Sequence, residues 1–143
     1  MIKKITLLLL VASLAACASF GTKEVSWIPT GPTFKAKDPK TVEVYASRED
    51  IKRPFDNLGM ARVHEVRRTR TDLKAALDKI VKIAAERGAD GVLVQNYSDE
   101  ELKVDTIMVV GYPFKYLDNL TEEDKAAVQE FLMFGVLDEY SYR

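Results

Sequence analysis

The clearest structural signal in the 143-residue chain lies in residues 71–97, which read TDLKAALDKIVKIAAERGADGVLVQNY. Apolar side chains recur there every three or four residues, which predicts an amphipathic helix over Thr71–Arg87 with Thr71 as its N-cap. Gly88 stands where helices commonly end in a left-handed residue, and the apolar run after Gly91 predicts a strand. The predicted buried stripe of the helix consists of Leu73, Ala76, Leu77, Ile80, Val81 and Ala84.

Further elements are predicted on both sides of this stretch. Alternating patterns predict strands over Thr41–Ala46 and Leu58–Arg67 before it, and the apolar run Val104–Tyr112 predicts another after it. A second helix is predicted to begin at Thr121, because Asp124 stands three residues later, which is close to a capping box. The order β-β-α-β-β-α predicts an α+β fold, a two-layer sandwich with a β-β-α-β-β sheet and an added C-terminal helix.

The N-terminus has the pattern of an export signal. Lys3 and Lys4 precede an apolar run over residues 5–14, which is too short to span a bilayer comfortably and is followed by small residues. Leu14-Ala15-Ala16-Cys17 resembles the bacterial lipobox, which implies cleavage of a lipoprotein signal peptide, residues 1–16, and acylation of Cys17 by chains such as palmitate. An ordinary cleaved signal and a membrane anchor with an unmodified thiol are the alternatives.

The predicted domain organisation follows from this signal. Residues 17–40 are predicted to be the lipidated Cys and a proline-punctuated tether, and residues 41–143 to form a single α+β domain. Trp27 and Phe34 either pack back onto the domain, or Trp27 lies among lipid headgroups. Ala18, rather than Asp, follows Cys17, and by resemblance to other lipoproteins this implies the outer membrane, with the domain facing the periplasm.

Composition and charge exclude several classes of function. Removal of the signal takes away two lysines and no acid, so the formal net charge of −1 becomes −3 and a globally basic nucleic-acid binder is excluded. Cys17 is the only cysteine, so its acylation leaves no thiol for a disulfide, a metal or a nucleophile. His64 is the only histidine, and without neighbours of the same kind it predicts neither a metal site nor a general base. No enzyme and no cofactor are therefore expected.

Two stretches carry a resemblance to a family. Residues 53–59, Arg-Pro-Phe-Asp-Asn-Leu-Gly, precede a predicted strand, and residues 84–92, Ala-Ala-Glu-Arg-Gly-Ala-Asp-Gly-Val, end the predicted helix. Together they resemble bacterial envelope domains that include the YbjQ-like heavy-metal-binding domains and the core of the Rcs stress-sensor lipoprotein, over roughly residues 42–110. The resemblance implies a small sandwich fold on a periplasm-facing lipoprotein. The chain lacks the disulfide cysteines of the stress sensor.

Charge is distributed unevenly along the sequence. Residues 52–74 hold seven basic and three acidic residues, which suits phosphorylated lipid, an acidic partner or simply solvent. Residues 118–139 hold seven acids and one lysine. A further acidic stretch lies at residues 99–105, and its alternatives are a divalent cation site and a solvated turn. Opposite charges on separate regions also permit self-association. The basic residues are Lys52, Arg53, Arg62, Arg67, Arg68, Arg70 and Lys74.

The C-terminal helix is the predicted place for a partner, because its apolar residues are too close together to share one narrow stripe. It either exposes an apolar patch or fills a groove between the sheet and the tether. We therefore expect an outer-membrane-anchored lipoprotein that acts as a non-enzymatic envelope protein-binding or stress-sensing module. The alternative is a small-ligand or metal-binding periplasmic domain. The helix residues in question are Phe131, Leu132, Phe134, Val136 and Leu137.

Overall fold

A computed structural model describes residues 24–98 and 105–135 of the chain. Its secondary structure consists of six strands and two α-helices, and the second helix continues into a π-helical turn over Phe131–Gly135. The strands are β1 (Ser26–Pro29), β2 (Glu43–Tyr45), β3 (Phe55–Asn57), β4 (Gly59–Arg67), β5 (Gly91–Ser98) and β6 (Thr106–Tyr116), and the helices are α1 (Arg70–Glu86) and α2 (Glu122–Glu130).

All six strands form one sheet in the order β1-β4-β6-β5-β2. The long strand β6 is central and pairs antiparallel with β4 and β5, while β3 pairs with β6 beyond the start of β4. The edge strand β2 runs parallel to β5. The mixed content of sheet and helices confirms the predicted α+β fold, with a helix after the last strand.

The main core lies between α1 and one face of the sheet. Ile80 and Ala84, from the predicted stripe, are completely buried, whereas Leu77 is only half-buried. A Cβ on Gly111 would collide with the side chain of Ile80, so this glycine lets the helix approach β6. On the opposite face, a smaller cluster forms around Phe114, whose ring centroid lies 4.8 Å from that of Phe55.

The start of α1 corrects the predicted cap. The helix begins at Arg70, and Thr69 rather than Thr71 is its N-cap, because the Thr69 hydroxyl accepts a hydrogen bond from the backbone N–H of Asp72 at 3.2 Å. Gly88 has a φ of 72°, which confirms the predicted left-handed residue after the helix.

A bulge in β4 corrects the predicted facing of its side chains. Regular alternation along the predicted strand Leu58–Arg67 puts Val66 on the same face as His64, opposite Val63. The pairing with β6 shifts between Val63 and Val66, and Glu65 has a φ of 51°. The extra residue turns Val66 back into the main core beside Val63 and leaves His64 exposed.

The domain also begins earlier than residue 41, which corrects the predicted extent of the tether. Ser26–Pro29 pair with β4, and Phe34 is buried in the main core. Trp27 packs against that core too, over Gly59, where a Cβ would collide with the indole. Packing of Trp27 and Phe34 on the domain, one of the two alternatives, is thus the one observed.

Candidate functional site

The second helix begins at the predicted capping box. The Thr121 hydroxyl accepts from the backbone N–H of Asp124 at 3.1 Å, and the Asp124 carboxylate accepts from the backbone N–H of Thr121 at 3.0 Å. The two side chains satisfy two backbone donors that a helix start leaves unpaired. The prediction for Thr121 and Asp124 is confirmed.

Few side chains of α2 reach the body of the domain. Ala127 and Val128 are partly buried against the main core. Asp124 is the one buried residue of the helix, and its carboxylate lies 3.8 Å from the Nζ of Lys115 on β6. The helix is therefore attached along a narrow line near its first turns.

The end of α2 is an exposed apolar surface. Leu132, Met133 and Phe134 are 69%, 61% and 55% exposed, whereas Phe131 is half-buried. Four successive apolar residues spread around a helical turn, so one neighbouring surface cannot cover them all. We call Phe131–Phe134 the apolar end of α2. Val136 and Leu137, which the sequence also predicted at this surface, lie outside the described residues.

The glycines of the Gly-Ala-Asp-Gly turn at residues 88–91 are explained by packing. A Cβ on Gly88 would lie 2.6 Å from both the Lys35 carbonyl oxygen and the Phe34 Cβ, and one on Gly91 would collide with the Phe114 ring. These glycines are therefore required by close contacts across the domain. They indicate backbone geometry and provide no chemistry.

Asp90, in the same turn, connects three parts of the chain. Its carboxylate lies 2.5 Å from the Nζ of Lys37, 3.6 Å from that of Lys115, and accepts from the backbone N–H of Tyr116 at 2.9 Å. Burial alone would raise the pKa of Asp90, but the hydrogen bonds from Lys37 and Tyr116 and the charge of Lys115 outweigh it and lower the pKa. The aspartate is a structural anion that holds the turn to β6.

A polar cluster on the sheet face away from α1 was not predicted from the sequence. The Glu43 carboxylate accepts from the hydroxyls of Tyr116 at 2.6 Å and Tyr45 at 2.7 Å, and these bonds lower the pKa of Glu43. Burial and the bond to Glu43 raise the pKa of Tyr116, so this phenol stays a donor at ordinary pH. Arg53 lies 3.8 Å from the centre of the Tyr116 ring and pairs with Asp118 at 2.6 Å. The cluster connects β2, β6 and the loop before β3, which is a structural role.

The basic residues at positions 52–74 do not form one patch of a single sign. Arg67 pairs with Asp72 at 2.5 Å, and Lys74 pairs with Asp78 at 2.8 Å. Both basic residues are thus paired with acids, and such mixed charge disfavours binding to an anionic surface.

The residue types that bind metals are dispersed in the described part of the chain. Within residues 24–98 and 105–135, no three His, Cys, Asp or Glu side chains are grouped to hold a metal ion. Cys17, the predicted lipidation site, lies outside the described residues, as do Asp99, Glu100 and Glu101. No described helix is long and apolar enough to cross a membrane.

Comparisons with known proteins give one structural neighbour. No family model matches the chain, and no curated protein matches it. Among solved structures, the crystal structure of the Francisella virulence factor FvfA in its orthorhombic form is similar, with 21% identity and a TM-score of 0.49. The match covers 64% of this chain and 97% of that one. Neither the identity nor the TM-score reaches a level at which function can be inferred.

Proposed function

We propose that this protein is an outer-membrane-anchored lipoprotein whose domain binds another envelope protein without catalysing a reaction. The anchor is Cys17 in its lipobox-like sequence, and Ala18 after it favours the outer membrane. More than one acyl chain on Cys17 would give stable anchoring, because a single chain binds a bilayer only reversibly. A stress-sensing role is one form of such a binding function.

The observation that carries the proposal is the exposed apolar end of α2. Single exposed apolar residues are ordinary, but Leu132, Met133 and Phe134 are adjacent and each is more than half exposed. Contiguous apolar surface with a polar rim is typical of protein-binding sites. The exposed acid Glu130, which directly precedes the apolar end, contributes such a rim. We infer a partner that offers an apolar groove bordered by lysine or arginine, since opposite charges at the rim would favour association.

The binding surface is tested by crosslinking and pulldown of the full chain from intact envelopes. We expect the change Leu132→Ser with Phe134→Ser to abolish recovery of a stoichiometric protein partner, because it removes apolar contact area without altering charge. Leu117→Ser with Val44→Ser is the matched control, since both residues are 46% exposed and lie elsewhere on the domain. Equal partner recovery with both double variants would contradict the proposal.

The anchor is tested separately in the same cells. Cys17→Ser removes the acyl acceptor, so palmitate labelling should be lost and an uncleaved or mislocalised precursor should accumulate. Processing and labelling like those of the unchanged chain would contradict the lipoprotein assignment. Because the serine variants at the apolar end keep Cys17, failure of anchoring and failure of partner binding are distinguishable.

A further inference from the structure

The helix α2 is weakly integrated into the domain. Of its residues Glu122–Glu130, Asp124 alone is buried, and only Ala127 and Val128 add partly buried apolar contact. Even with the π-helical turn that follows it, such a short helix is marginal in water by itself, so α2 depends on its cap and on its few contacts with the domain. Elements with few buried apolar contacts are those that open locally while the rest of a protein stays folded.

Lys115 provides the main polar attachment of α2, and it has a second carboxylate available. Its Nζ lies 3.8 Å from Asp124 and 3.6 Å from Asp90, and the three side chains are 12%, 12% and 13% exposed. Asp90 is also paired with Lys37. When Asp124 leaves with its helix, Lys115 keeps Asp90, so no buried charge is left without a partner.

We propose that α2 is a latch that opens as a unit while the sheet and α1 stay folded. The closed form is held by the capping box, by Ala127 and Val128, and by the pair between Lys115 and Asp124. Opening uncovers Lys115, whose Nζ lies 5.0 Å from the centre of the Phe34 ring. The latch follows from contacts within the domain and holds whether or not a partner binds the apolar end.

Amide hydrogen exchange of the full chain tests the latch. Asp124→Asn keeps an oxygen that can accept from the N–H of Thr121, so the capping box is retained while the charge is lost. Exchange at residues 125–130 should become about fivefold faster, the ratio that corresponds to a partly buried ion pair worth about 1 kcal/mol. Exchange in α1 should not change. Asp78→Asn, in the exposed pair with Lys74, is the matched control and should leave α2 exchange as it was.

A salt series on the unchanged chain gives a second measurement that needs no variant to fold. Raising NaCl from about 0.1 M to about 1 M shortens the screening length to about 3 Å and should accelerate exchange in α2 but not in α1. Two results would overturn the latch: exchange in α2 that is as slow as in the buried turns of α1, or equal acceleration of both helices by Asp124→Asn.

Discussion

At the scale of single residues, Asp90 shows how a short turn is stabilised by contacts far away in sequence. Lys37 precedes it by 53 positions and the Tyr116 N–H follows it by 26, yet both donate to its carboxylate. The sequence identified the turn from its two glycines, but gave no means of assigning partners to the aspartate between them. Local signals such as the capping box at Thr121 were predictable, because donor and acceptor are three residues apart.

We predict that Asp90→Asn lowers the free energy of unfolding at pH 7 by about 1.5 to 3 kcal/mol, the range for hydrogen bonds to charged groups. The folded pKa of Asp90 lies below its ordinary value of 3.8, so the carboxylate stabilises the fold above that pH. This contribution is lost as the pH falls through the lowered pKa. Urea unfolding from pH 7 to about pH 2 should therefore show the difference between variant and unchanged chain shrinking below about pH 4.

The control for this prediction is Asp78→Asn on the exposed face of α1, which should cost less than about 1 kcal/mol at any pH. A difference between the Asp90→Asn variant and the unchanged chain that stays constant down to the lowest pH would show that the charge of Asp90 is unimportant.

At the scale of secondary-structure elements, periodicity predicted α1 well and β1 not at all. The apolar stripe around Ile80 depends on the sequence of the helix alone, and the structure buries Ile80 as predicted. Only the N-cap differs, since it is Thr69 rather than Thr71. Strand β1 contains Pro29, follows a polar stretch and has four residues, so its identity depends on the edge of β4 that it pairs with. The bulge at Glu65 was missed for the same reason, since a register shift exists only relative to β6.

Truncation of the α1 stripe tests its burial. We expect Ile80→Ala to lower the free energy of unfolding by about 3 to 5 kcal/mol, because Ile80 is completely buried against Gly111 and Val92. Leu77→Ala should cost about half as much, because Leu77 is half-buried and its site is open to solvent. Chemical denaturation of both variants measures the ratio. Equal losses would mean that the two positions share one buried environment.

At the scale of the whole molecule, the fold class was predictable, but the exposed apolar end of α2 was predictable only in part. The crowding of apolar residues after Val128 indicated that some would stay exposed, and Leu132–Phe134 are exposed. Which residues remain uncovered depends on where α2 docks, and that is set by contacts with other elements, such as the pair of Asp124 with Lys115 on β6. The cluster around Glu43 was not predictable, because its tyrosines are 2 and 73 positions away.

Deletion of residues 119–143 tests whether the sheet and α1 fold without α2. We expect a remainder that still unfolds cooperatively, because the main core is built from α1, the sheet and Phe34. Lys115 also retains its ion pair with Asp90 when Asp124 is deleted. It should be folded and monomeric but should recover no envelope partner. Thermal unfolding followed by circular dichroism, together with the pulldown, measures both properties. A remainder without a cooperative unfolding transition would show that α2 belongs to the core. It would contradict the proposal that the apolar end of α2 binds a partner.

The central position of β6 has a consequence for folding during synthesis. Before its residues Thr106–Tyr116 appear, the chain can form only the separate pairs β1–β4 and β2–β5, and isolated two-stranded ribbons are marginal in water. The strand that unites them is the last of the six to leave the ribosome. The sheet therefore cannot close before β6 has been synthesised, so its assembly follows synthesis of its central strand.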